Sequence, residues 1–168
     1  MKRSKWIGVI AVFLLASVLV WFVSVQIEVR TRNGELIEAL QLRHRPEFIE
    51  ALRRGASANA RDGTGSPVLM LAARCKDTSF TKALLDHGAD VNATDDHFGL
   101  TALMEAASSG NVAVVQLLLS RGPDVNVRGS GRTALKCAQR DRPEHSSRSQ
   151  QKAYEEILEM LKQAGAKE

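Results

Sequence analysis

Two patterns of apolar and polar positions divide the chain. Residues 6–25, WIGVIAVFLLASVLVWFVSV, form an apolar run without a single charge. From residue 34 onward, apolar residues come in short clusters broken at a regular interval by a glycine and a polar turn. The first pattern predicts one helix long enough to cross a bilayer. At ~1.5 Å per residue, it spans roughly 30 Å. The second predicts short amphipathic helices joined by tight turns.

Self-comparison sharpens the second pattern. EALRRGASANA (50–60), ALLDHGADVNA (83–93) and LLLSRGPDVNV (117–127) align, with Gly55, Gly88 and Gly122 in one column and Asn59, Asn92 and Asn126 in another. A degenerate copy, EMLKQAGAKE (159–168), puts Gly165 in the glycine column. The preceding half-units GSPVLMLAA (65–73), GLTALMEAA (99–107) and GRTALKCAQ (131–139) also align, and Asp62-Gly63-Thr64-Gly65 and Asp96-His97-Phe98-Gly99 read as matching turns. Thr101 and Thr133 stand where a hydroxyl would cap a first helix, with Pro67 in the same column. Each glycine follows an apolar helix, where a left-handed residue ends it. One helix pair cannot bury its own apolar face, so the units must stack.

This period, with turn, T-A-L, second helix and G-A-D-V-N in order, resembles the ankyrin repeat over residues 34–168. The resemblance implies an all-α solenoid of about four helix-turn-helix units, two full and two degenerate, with short β-turn fingers, behind a single N-terminal transmembrane helix. The expected layout is a basic segment 1–5, the anchor 6–25, a linker 26–33 and repeats at about 34–60, 61–93, 94–127 and 128–168. The first repeat lacks the family signature, and its helices are expected at about 35–42 and 47–54. The family's T-P-L-H histidine is replaced by Met70, Met104 and Lys136. The last repeat carries a polar, basic excess, RDRPEHSSRSQ (140–150), read as an inserted loop before a closing helix at 151–163.

Charge refines the placement. The sequence pI is about 9.3, but Lys2, Arg3 and Lys5 precede the apolar run, and removing them from 23 basic residues leaves 20 against 19 acids. A near-neutral body lacks the footprint of a nucleic-acid binder. The same three cations predict a cytosolic N-terminus and a repeat domain across the inner membrane, periplasmic in a bacterium. The rival reading is a cleaved signal peptide. It calls for a shorter core and a small-residue cleavage site, whereas this core is long and bulky near Phe22-Val23-Ser24.

Catalytic patterns are weak. His44, His87, His97 and His145 show no metal-ligand spacing, and GTGS (63–66) lacks the lysine of a phosphate loop. The expectation is therefore no enzyme, no cofactor, no metal and no small-molecule substrate. Cys75 and Cys137 lie two units apart in the repeat register, on the order of 20 Å, too far for a disulfide. The resemblance implies a protein partner bound by turn tips and the first helices' concave face. The positions that match are Gly63, Thr64, Ser66 and Arg74, then His97, Phe98, Leu100, Ser108 and Ser109, then Arg132 and Arg140. Phe98 and Leu100 are the candidate apolar anchors, with Phe98 either exposed or folded onto the next hairpin. Similar exported ankyrin proteins of bacteria act as accessory factors or as immunity proteins. Adaptor, inhibitor and scaffold of a membrane complex all remain open at this point.

Overall fold

The computed structural model describes the backbone of residues 3–141 and 147–167, and the side chains of residues 17–141 and 147–167. Eight helices follow one another in these residues: α1 (Arg3–Gln41), α2 (Arg45–Arg53), α3 (Val68–Ala73), α4 (Thr78–Asp86), α5 (Ala102–Ser108), α6 (Val112–Leu119), α7 (Ala134–Arg140) and α8 (Arg148–Gln163). They pack as four antiparallel pairs, α1 with α2 through α7 with α8. Odd-numbered helices stack into an inner layer and even-numbered helices into an outer one. Isolated β-bridges close three hairpin fingers at 61/67, 94/101 and 129/132. Among the described residues, these bridges are the extent of the β-structure.

Local chemistry sets the helix boundaries. The Thr101 and Thr133 hydroxyls accept the N–H groups of Met104 and Lys136, at 3.3 and 3.4 Å. Asp77 and Asn111 start the outer helices by accepting from Ser79 and Val114. Outer helices end on the glycine column. At Gly88, φ is 81°, and the N–H of Ala89 returns to the Leu84 carbonyl at 3.0 Å. Gly55 repeats this at φ 91°, with Ala56 donating to Ala51. A side chain in this left-handed conformation would be strained.

Between the layers lies one continuous apolar core. Ala72, Ala73, Ala106, Ala107 and Ala138 are fully buried and let the inner helices approach closely. Leu84, Leu118, Ile157 and Leu161 fill the outer side, each worth roughly 1.5–3 kcal/mol of burial. Phe48 and Phe80 meet edge to face at 5.0 Å and join the first unit to the second.

An asparagine ladder crosses the units along their other edge. Asn59 accepts from the Asp90 N–H at 2.7 Å and donates to the Gly88 carbonyl at 3.2 Å. Asn92 accepts from Asp124 at 2.8 Å, and Asn126 from Lys167 at 2.8 Å while donating to Gly165. Asn33 supplies the same rung to the first unit, accepting from the Ser57 N–H at 2.8 Å.

That rung falls at the end of the expected linker. Residues 26–33 are helical, and α1 continues without a break into the first unit's inner helix. Glu28 and Arg32 pair at 3.0 Å along it, and the Thr31 hydroxyl bonds back to Ile27 at 2.6 Å. No proline or cap interrupts the run. The first unit's second helix begins at Arg45 with Pro46 in its first turn. Side chains 6–16 of the expected anchor lie outside the described residues. Among those described, no helix is long and apolar enough to cross a membrane.

The inserted loop is also shorter than expected. α7 runs to Arg140, and α8 starts at Arg148 rather than 151. Ser147 and Gln150 form a reciprocal capping box that draws 148–150 into the helix. Residues 142–146 of the loop, including His145, lie outside the described residues.

One core position is suboptimal. Thr81 is fully buried, and its hydroxyl has no hydrogen-bond partner among the described residues. The equivalent position in the next unit is the fully buried Val115. Thr81→Val is expected to raise unfolding stability by about 1 kcal/mol, because an unsatisfied buried hydroxyl is removed at constant shape. Urea denaturation checks this; a loss of stability would mean that the hydroxyl is satisfied.

Candidate interaction face

The three fingers share a role but differ in construction. In the first, the Asp62 carboxylate accepts the N–H of Thr64 at 2.8 Å, the Thr64 hydroxyl at 2.6 Å and the N–H of Ser66 at 3.0 Å. Partial burial works to raise the Asp62 carboxyl, but the Thr64 hydroxyl and the two N–H donors outweigh it and lower its pKa. In the second finger, Asp95 rather than Asp96 does this work. It accepts from Leu100 at 2.6 Å and Phe98 at 3.2 Å. The third finger is shorter: Ser130 and Gly131 turn at φ 49° and 73°, the signs of a type I′ hairpin.

Three contacts lock the fingers together. The Arg61 guanidinium donates to the Gly65 carbonyl at 2.7 Å, the Thr94 carbonyl at 2.8 Å and the Asp96 carboxylate at 3.1 Å, clamping the first finger to the second. Gly129 lies against the second finger so closely that an added Cβ would sit 2.4 Å from the Gly99 oxygen and 2.9 Å from the Leu100 nitrogen. The Ser130 hydroxyl reaches the Phe98 carbonyl at 3.4 Å.

The candidate residues fall into three groups. Phe98 is 61% exposed at the tip of the middle finger, beside exposed His97, with ring centroids 6.3 Å apart. The exposed alternative holds. Gly63 and Thr64 are exposed at the neighbouring tip. Arg74, just past the end of α3, and Ser108 and Arg140, the last residues of α5 and α7, occupy equivalent positions at the ends of the inner helices.

A second group is engaged within the domain. The Thr64 hydroxyl serves Asp62 and lies 3.1 Å from that of Ser66. Ser109 returns its hydroxyl to the Glu105 and Ala106 carbonyls. Ser108 donates to Asp141 at 2.6 Å, and Arg74 pairs with Glu105 at 3.3 Å.

Leu100 forms the third and is a correction. It is half-buried and packs against the core, because the Asp95 carboxylate holds its N–H and draws the strand end inward.

Arg132 is half-buried at the base of the third finger, and Lys136 and Arg140 are exposed further along α7. Sequence reading passed over Lys136; its spacing of four residues from Arg140 on one helix was the signal available. Cys75 and Cys137 are both free, and burial pushes the Cys137 thiol up. His87 accounts for itself structurally, its Nδ1 lying 2.8 Å from the Ala83 carbonyl at the end of α4. Among the described residues, no three His, Cys, Asp or Glu side chains converge on a metal position. A groove of about 910 Å³ lies away from this face, between α1 and α2 at the open end of the stack. Ala39, Leu42, Pro46 and Ile49 contribute to its wall, and it opens to solvent.

Acid sensitivity should arise at the turns and outer helices. The Asp77 carboxyl is lowered by the Ser79 N–H, and Asp86 by hydrogen bonds from Lys82 and Arg121. With Asp62, these groups have folded pKa values below the ordinary 3.8. Their stabilisation is fully present above the unfolded value and is lost as pH falls through the lower folded value. Stability should be flat above about pH 5 and decline below about pH 4. Asp62→Asn should make that decline shallower in urea titrations; an unchanged slope would remove Asp62 from the account.

Comparison with known proteins agrees with this geometry. A family model described as ankyrin repeats (3 copies) matches residues 36–129 and 69–167. A putative ankyrin repeat-containing protein of Treponema pallidum (strain Nichols) is 47% identical over 89 residues, covering 52% of this chain and 29% of its own length. The ankyrin repeat and SAM domain-containing protein 6 of Rattus norvegicus is 39% identical over 107 residues, 55% of this chain and 12% of that one. Zygote-specific protein 3 of Chlamydomonas reinhardtii is 31% identical over 136 residues, 80% of this chain and 33% of that protein. The chain thus spans a third or less of the length of these relatives. Ankyrin repeats generally mediate protein–protein interaction and are typically non-catalytic. With matched units, stacked helix pairs and fingers in register, the chain belongs to the ankyrin-repeat family.

Proposed function

We propose that this chain is a membrane-tethered protein–protein interaction module that takes a protein partner on its finger tips and concave inner face. The observation that carries the reading is Phe98. A phenylalanine 61% exposed on a finger braced by Asp95, beside exposed His97, is an anchor with a polar surround. Phe98→Ala is expected to weaken partner capture at least tenfold with unchanged thermal stability. Leu100→Ala is the wrong companion, since Leu100 packs on the core and its loss would cost stability.

The tether rests on the uncharged run 6–25 and on α1 itself. Val18, Leu19, Val20, Trp21, Phe22 and Val23 are each at least half exposed on that helix, a band too apolar to remain in water uncovered. In this reading the cations at 2, 3 and 5 keep the N-terminus in the cytosol, and the repeats lie across the inner membrane, in the periplasm of a bacterium. From residue 25 to the Asn33 rung, α1 rises only about 12 Å, so the repeats would be held close to the bilayer by a continuous helix. The module would serve as an adaptor, an accessory factor or an inhibitor of immunity-protein type. Alkaline carbonate extraction and protease protection test the tether. The full chain should stay with the membrane, its repeats digested only from the periplasmic side, and deleting 6–25 should release it. Release of the full chain by carbonate would remove the anchor.

A further inference from the structure

We propose that the concave face receives an acidic segment of the partner protein, held by a basic row on the last unit. This rests on the concave-face reading above and adds the partner's chemistry. Residues 128–141 carry four cations, Arg128, Arg132, Lys136 and Arg140, against one acid, Asp141. The corresponding stretch of the unit before, 94–109, carries three acids and no Lys or Arg: Asp95, Asp96 and Glu105. Those acids are already committed. Asp95 holds the Phe98 and Leu100 N–H groups, Asp96 pairs with Arg61 at 3.1 Å, and Glu105 pairs with Arg74 at 3.3 Å. Both pairings run toward the N-terminal neighbour. Among the described residues, no ion pair reaches Arg128, Arg132, Lys136 or Arg140 from any side. Asp141 is half-buried and takes the Ser108 hydroxyl at 2.6 Å.

Geometry turns this excess into a row. Lys136 and Arg140 are four residues apart on α7, so their side chains follow one another at about 5–6 Å, while Arg132 stands just before the helix, at the base of the third finger. Cys137, between Arg132 and Arg140 in sequence, is buried in the inner layer, while Lys136 and Arg140 are exposed beside it on α7. The next finger ends in Phe98, and Ser130 ties the two fingertips together at 3.4 Å. An acidic segment with one apolar side chain matches this surface: carboxylates on the row and the apolar group on Phe98. A nucleic acid fits less well. Its backbone would meet the carboxylates of Glu105 and Asp141 next to a row only one helix wide, and the body of the domain has no net basic excess.

The test uses the full chain in discs of zwitterionic lipid, and fluorescence anisotropy of a labelled short peptide with glutamates at i, i+4 spacing and one phenylalanine. The Glu peptide should bind, more weakly as salt rises, and its Gln counterpart should bind at least about tenfold more weakly. Lys136→Gln with Arg140→Gln should cost about tenfold, and Lys76→Gln with Lys162→Gln, which changes net charge equally, less than about twofold. Absence of Glu-peptide binding, equal binding of Glu and Gln peptides, or equal loss in both double variants overturns the proposal. So does a labelled single-stranded oligonucleotide that binds more tightly than the Glu peptide. Should the acidic chemistry fail while Phe98→Ala still abolishes capture of a crosslinked partner, the concave-face reading stands without it.

Discussion

Gly129→Val is expected to destabilise the domain by roughly 3 kcal/mol, the upper end for forced overpacking, with a fall in thermal midpoint on the order of 10 °C. The obstacle is backbone: a Cβ at 129 would lie 2.4 Å from the Gly99 oxygen and 2.7 Å from its carbonyl carbon. Backbone of a neighbouring finger cannot swing aside as a lysine tip can, so the second and third fingers must separate. Two things follow from separation. The Ser130–Phe98 contact is lost, and Phe98 moves relative to the α7 row. Gly63→Ala is the matched control, because nothing lies within 4 Å of its Cβ position, and a surface change of this kind stays within about 0.5 kcal/mol. Equal melting curves for Gly129→Val and Gly63→Ala would mean that the fingers are not in register as described.

Tyr154→Ala should cost about 3–5 kcal/mol, as expected for truncating a buried aromatic, and Tyr154→Phe about 1 kcal/mol for the hydroxyl. Tyr154 is the first buried residue of α8 after the insertion. Its ring closes over the turn between α5 and α6, with Gly110 so near that a Cβ there would meet the ring at 3.1 Å. Its hydroxyl donates to the Ser108 carbonyl at 2.7 Å, and burial raises its pKa. Ile157 and Leu161 continue the same face into the core, while Lys152, Glu156 and Glu159 face out. α8 therefore closes the stack. Without the Tyr154 ring, α8 should detach first, seen as early amide exchange in 148–163. Uniform exchange across all four units would argue against a separable closing helix.

The columns of the repeat were legible because they answer to local physics. A left-handed glycine after an apolar helix, a threonine before one, and an asparagine that bridges adjacent loops each carry their role in residue type and spacing. Phe98 was legible as a fingertip for the same reason. What escaped depends on neighbours. Asn33 precedes the first recognisable unit, so its rung to Ser57 shows only once α1 is placed against α2. Asp95 and Asp96 are adjacent acids, and sequence alone does not say which one turns inward to the N–H groups and which outward to Arg61. Leu100 looked like a second tip residue until the finger's curvature packed it on the core. Lys136 lay in a column that the family fills with histidine, and its meaning comes from Arg140 one turn on along α7 and from Arg132 at the base of the finger before it.

The proposed function puts the partner on the finger and concave side. Site-specific photocrosslinking in intact cells tests it most directly, with the crosslinking residue at position 98 on the middle finger or at exposed Gln116 on the outer helix α6. A discrete crosslinked protein is expected from position 98, lost when Lys136 and Arg140 are neutralised, and none from position 116. A discrete product from position 116, with position 98 silent, would contradict it.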